Sequence, residues 1–134
     1  MIFLPYVCSV QIEKNRENVS KFVKEVPNLP RWAEFFIAVG SMNNNCYPVE
    51  TKIGPAITWI SEEQTDKEER LTIHSYLGER HESAHIDLES VNGGTQLYFQ
   101  INLPSEWPQE KTNLQLQQLQ RELQTLKGLL ENEN

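Results

Sequence analysis

The sequence predicts an α+β domain in which a seven-stranded antiparallel sheet wraps around one long C-terminal helix, with short helices after the first strand. Three observations carry this. Short alternating runs are separated by Gly, Asn and Pro turn signals between residues 35 and 101. The apolar faces of neighbouring runs coincide when paired across those turns. A leucine stripe of Leu116, Leu119, Leu123, Leu126 and Leu130 then follows at helical spacing.

Residues 6 to 14 alternate as a strand, after which Asn15 caps a short helix through Val26, with Val19, Phe22, Val23 and Val26 on one face. Pro27 ends it. The stretch PNLPRW favours a bent connection that presents Trp32. Six consecutive strands follow: FFIAV, YPVETKI, AITWIS, LTIHSYL, HESAHIDLE and TQLYFQI, punctuated by Asn43-Asn44-Asn45, Gly54-Pro55, a charged loop, Gly78-Glu79 and Asn92-Gly93. Connections this short make an antiparallel meander, since parallel neighbours need crossovers of about a dozen residues.

The turns set a register. A two-residue type I′ turn at Asn92-Gly93 opposes Leu88 with Leu97, Ile86 with Phe99 and Ala84 with Ile101. Gly78-Glu79 treated alike pairs Ile73 with Ala84, Ser75 with Glu82 and His74 with Ser83. A turn at Gly54-Pro55-Ala56 sets Ile53 beside Ile57 and Thr51 beside Trp59.

From Trp107 or Pro108 to about Glu131 the pattern is helical, with Pro108 acceptable in the first turn. At 1.5 Å per residue this helix is roughly 35 Å long, enough to cross a sheet. The leucine spacing also fits a coiled coil, but only about two heptads are present, short of the three or four that pattern needs. The stripe is therefore assigned to packing within the chain.

The chain has 134 residues, a length that fits one domain over 1–134. Its formal charge of -7 repels phosphate backbones, which argues against a nucleic-acid partner. The opening MIFLPYVCSV has no basic flank and is too short to span a bilayer, so it reads as a strand, and no stable membrane insertion is expected. Two cysteines, Cys8 and Cys46, form neither a disulfide framework nor a zinc spacing, and point to a reducing cytoplasm, with Cys8 a buried inert thiol.

The chemistry-bearing side chains are few. His81 and His85 share a strand face but stand roughly 13 Å apart at about 3.3 Å per residue, too far for one ion. They read, with His74, as a solvated outer surface beside Thr72, Tyr76, Ser83 and Asp87, and no metal is expected. On the inward face the polar exceptions are Thr51, Ser75 and Glu82, with Trp59 next to Thr51; these are the candidates for orienting a bound molecule. Glu82 lies near a hairpin end, where it either reaches solvent or, if enclosed, is tuned toward proton transfer. Trp32 either lines a cavity mouth or is a core tryptophan. The run EEQTDKEER reads as a solvated loop.

The order strand, short helix, NLPRW, six-strand meander and leucine-striped helix resembles the START/Bet v 1-like superfamily, also called the helix-grip or polyketide cyclase-like fold. The resemblance covers nearly the whole chain. It rests on VQIEKNRENVSKFVKEVPNLPRW, NGGTQLYF and LQRELQTLKGLLE. It implies a hydrophobic cavity between sheet and helix, and a small hydrophobic molecule, lipid-like or aromatic, as the partner. The expected lining is Val10, Ile37, Val39, Trp59, Ile73, Ile86, Phe99, Leu119 and Leu123, with Trp32 at the mouth and Thr51, Ser75 or Glu82 at the ligand's polar end. No catalytic motif of the superfamily is matched, so no catalytic residue is transferred and no cofactor is implied. Members include carriers, sensors, cyclases and co-chaperones. A polyketide cyclase or dehydratase and an interaction module resembling Hsp90 activators are the alternative functions.

Overall fold

The computed structural model describes residues 2–65 and 68–132. The chain forms β1 (Phe3–Ile12), α1 (Arg16–Val23), a 3-10 turn (Val26–Asn28), α2 (Leu29–Trp32), β2 (Phe36–Val39), β3 (Tyr47–Thr51), β4 (Gly54–Gln64), β5 (Glu68–Leu77), β6 (Arg80–Val91), β7 (Gly94–Pro104) and α3 (Gln109–Glu131). One seven-stranded antiparallel sheet results, in the order β1-β7-β6-β5-β4-β3-β2. The meander expected from the turns is thus observed, with β1 closing against β7.

Local chemistry sets the boundaries. Asn15 caps α1, its Oδ1 accepting the Asn18 N–H at 2.8 Å. α1 stops at Val23, three residues short of the expected Val26. Pro27 then sits in the first turn of the 3-10 segment, where its missing N–H costs nothing. At the β6–β7 turn Asn92 and Gly93 have φ of 49° and 85°, the left-handed pair that a type I′ turn requires. The registers expected there and at Gly78-Glu79 are found: Leu88 opposes Leu97, Ile86 opposes Phe99, Ile73 opposes Ala84 and Ser75 opposes Glu82.

The β3–β4 register differs. Gly54-Pro55 does not make the turn; Lys52 and Ile53 do, and Gly54, at φ 124°, begins β4 opposite Thr51. The Thr51 hydroxyl closes this turn, accepting the Ile53 N–H at 3.2 Å and donating to the Gly54 carbonyl at 2.6 Å. Val49 therefore opposes Ala56, and Tyr47 opposes Thr58. The odd shift turns Thr58 inward and Trp59 outward.

α3 lies along β1 over the inner sheet face. Leu119, Leu123, Leu126 and Leu130 enter one core with Val10, Ile12, Leu71, Ile86, Leu88, Leu97 and Phe99. The same helix caps the free edge of β1. Lys127 Nζ donates to the Gln11 carbonyl at 2.6 Å, Glu131 Oε2 accepts the Glu13 N–H at 2.8 Å, and Gln120 reaches the Ser9 carbonyl at 3.5 Å. Pro5 shares the parity of Ser9 and Gln11 in an unbroken ladder, so the N–H it lacks is also one that would face outward.

Candidate functional site

The inner face of the sheet, under α3 and α2, brings together most of the residues expected to line a cavity. Val10, Ile73, Ile86, Phe99, Leu119 and Leu123 are buried in a single cluster, and Val39 packs against it half-buried. Trp32 belongs to the same cluster. Its ring stands edge-on to Phe99 with centroids 6.2 Å apart, and it is 2% exposed. The indole Nε1 is buried and, among the described residues, has no hydrogen-bond partner. A buried donor left without an acceptor costs about 1–3 kcal/mol.

Four expected residues sit differently. Ile37 is 57% exposed, because a bulge between Phe36 and Ala38 breaks the alternation and lets Phe36 and Val39 turn toward the core instead. Trp59 lies on the outer face, following the β3–β4 register. Thr51 is buried, but its hydroxyl is consumed by the turn it closes. Glu82 is half-buried at the rim and ion-paired with Arg80, two residues before it on β6, so Glu82 itself is not an enclosed acid. Ser75 is buried as expected, with its hydroxyl 2.9 Å from that of Thr58.

Two buried carboxyl groups were missed by sequence reasoning. Glu122 on α3 is 8% exposed. Its Oε2 accepts the Glu34 N–H at 3.2 Å and its Oε1 accepts from Gln118 at 3.3 Å. Burial pushes its carboxyl above the ordinary range, partly offset by these hydrogen bonds. The signal was its place in the leucine stripe, three residues after Leu119 and four before Leu126. Glu69, within the run read as a solvated loop, is fully buried, because Glu62–Gln64 and Glu68–Arg70 extend β4 and β5; Asp66 and Lys67 of that run lie outside the described residues. Ser20 of α1 donates to Glu69 Oε2 at 2.6 Å. Burial pushes Glu69 up, but hydrogen bonds from Glu62, Ser20 and Gln64 outweigh it and hold the group below the ordinary value. Glu62 is pushed up, first by its hydrogen bond to Glu69, so on acidification it takes up a proton before Glu69 does.

The outer face carries the three histidines with Trp59. His74 stacks on Trp59 at 4.7 Å, and His81 stacks on Tyr76 at 4.6 Å. Burial, and then the neighbouring His81 and His85, lower the pKa of His74. The Cys8 thiol is half-buried and shifted up by burial, in keeping with an inert group.

Two surface hollows stand out. One, of about 400 Å³, opens over the outer face between Glu63, Arg70, Asp87, Glu89 and Tyr98. The other, of about 440 Å³, lies where α2 meets the C-terminal half of α3, bordered by Arg31, Gln124, Gly128 and Leu129. Leu129 also packs against the core, so this second hollow adjoins the cluster that holds Trp32. No helix among the described residues is long and apolar enough to cross a membrane.

No protein-family model and no curated protein matches the chain. Solved structures do. A START superfamily protein from Mycobacterium smegmatis superposes with a TM-score of 0.73 at 12% identity, covering 95% of this chain and 97% of that one. The Aha1 dimer structure from Colwellia psychrerythraea gives 0.68 at 13%, covering 96% and 97%. Ara h 8.0201 gives 0.61 at 13%, covering 98% and 100%. With the sheet order, the short helices after β1 and the long α3 over the inner face, these likenesses establish that the chain has the START/Bet v 1-like helix-grip fold.

Proposed function

We propose that the domain takes up one small, mostly apolar molecule, lipid-like or aromatic, between the inner sheet face and α3, and acts as a carrier or sensor in the cytoplasm. The observation that carries this reading is the buried Trp32 Nε1, an unpartnered donor set in an otherwise apolar face. The hollow of about 440 Å³ between α2 and α3, which adjoins the core cluster at Leu129, is the entrance. Ser75 and Thr58 add a hydroxyl pair at the sheet end of the same face.

Native mass spectrometry of protein purified without detergent tests the reading directly. A stoichiometric added mass, or saturable uptake of a fatty acid, flavonoid, sterol or aromatic polyketide, is expected. Enlarging Ser75 to Trp should reduce that uptake. Failure of every class would overturn the proposal.

A second reading is an interaction module with a filled interior. It is favoured by the positions of the two hollows, both outside the space enclosed by sheet and α3. Protein that binds no small molecule yet retains a defined partner in pull-down is the result that would select it.

A further inference from the structure

His74 and His81 are not opposed in the β5–β6 ladder, where His74 faces Ser83 and Tyr76 faces His81. They are diagonal neighbours, and their rings nonetheless meet, with His74 Nδ1 3.3 Å from His81 Nε2. Two imidazole nitrogens that share one ion at about 2.0–2.1 Å, at a near-tetrahedral angle, stand about 3.3 Å apart. In the structure the two rings share a hydrogen bond at this distance; the same spacing fits the bite of one ion, which would take the place of the shared proton while His81 carries its own proton on Nδ1.

The surroundings supply the rest of the requirement. The Ser61 hydroxyl lies 2.9 Å from His74 Nε2. A hydroxyl accepts as readily as it donates, so Ser61 can hold the His74 proton on Nε2 and leave Nδ1 bare. The nearly parallel stack of His74 on Trp59, at 11° between planes, and of His81 on Tyr76 fixes both ring orientations. Both histidines stand on paired strands, which keeps their backbones in place.

We propose that His74 and His81 form a two-nitrogen site on the outer sheet face for a borderline divalent transition ion of the copper, nickel or zinc type, oriented by Ser61. Imidazole donors select this class over magnesium or calcium. Among the described residues no group of three or more His, Cys, Asp or Glu side chains is arranged around an ion. The remaining coordination positions therefore belong to water or to a small exogenous donor, and the ion is exchangeable. Strand spacing separates His81 from His85, as the sequence indicates; the pair that converges is the cross-strand one.

Trp59 is the built-in reporter. Titration of the full chain with nickel or copper chloride is expected to quench part of the tryptophan emission saturably at one equivalent. Copper electron paramagnetic resonance should show two nitrogen donors. His81→Phe keeps a ring in the stack but removes the donor, and should weaken binding by about tenfold or more. Ser61→Ala should weaken it less, and His85→Ala should leave it unchanged. Trp59→Phe should abolish the quenching while calorimetry still detects the ion. Unchanged binding in His81→Phe, loss in His85→Ala, or a single-nitrogen copper spectrum in the unmodified protein would each overturn the proposal. The spectrum needs no variant to fold.

Discussion

Glu122 of α3 accepts the backbone N–H of Glu34 at 3.2 Å, so one carboxyl group on the long helix fixes the segment joining α2 to β2. Burial raises this carboxyl's pKa, and the Glu34 carboxylate nearby reinforces the shift while Lys52 opposes it. The folded chain therefore holds the Glu122 proton more tightly than the unfolded chain does. The stability this contributes is complete below the ordinary carboxylate value of 4.5 and is lost as pH rises through the raised folded value. Glu122→Gln keeps an acceptor for Glu34 and carries no charge. It is expected to be more stable than the parent at neutral pH, with the difference shrinking on acidification. Urea midpoints that differ by the same amount at every pH would contradict this.

Removing the Trp32 side chain should be costly in a different way from trimming it. Trp32→Ala is expected to lose about 3–5 kcal/mol, the range for deleting a large buried aromatic. Trp32→Phe sheds an unpartnered donor along with some volume, and should cost less than about 1.5 kcal/mol in ligand-free protein. If the two variants melt alike, the indole N–H has an acceptor.

Leu123 is fully buried at mid-length on α3. Leu123→Ala is expected to destabilise the fold by about 2–4 kcal/mol. A loss under about 0.5 kcal/mol in urea melts would mean that α3 is not docked on the sheet.

Thr58 and Ser75 satisfy one another inside the sheet. Ser75→Ala alone strands the Thr58 hydroxyl and should cost about 1–2 kcal/mol. Thr58→Val with Ser75→Ala should cost less than the sum of the single changes. Strict additivity in the double-mutant cycle would show that the hydroxyls do not interact.

Where the chain announces its own turns, the sequence was sufficient. Asn92-Gly93 and Gly78-Glu79 contain residues suited to left-handed backbone, and each sets its hairpin without outside help. The β3–β4 turn is made instead by a threonine hydroxyl. Nothing in the residue pattern distinguishes that from a Gly-Pro turn, and the error carried Trp59 to the wrong face. Ile37 failed for a related reason, since one bulge residue reverses strand parity. The buried acids escaped because charge was read as exposure. For Glu69 and Glu122 the periodicity said core while the side chain said surface, and hydrogen bonds from Ser20, Gln118 and the Glu34 backbone resolve the conflict.

α3 both covers the inner face and seals the outward edge of β1 through Lys127, Glu131 and Gln120. Swinging the helix away to admit a guest would unmask Ser9, Gln11 and Glu13 as a docking rail for any extended peptide, a second copy of the chain included. Such a motion would trade ligand access for strand-to-strand aggregation. On the proposed function, entry would therefore be expected at the gap beside α2, and a variant that loosens the Lys127–Gln11 contact should announce itself first as precipitation.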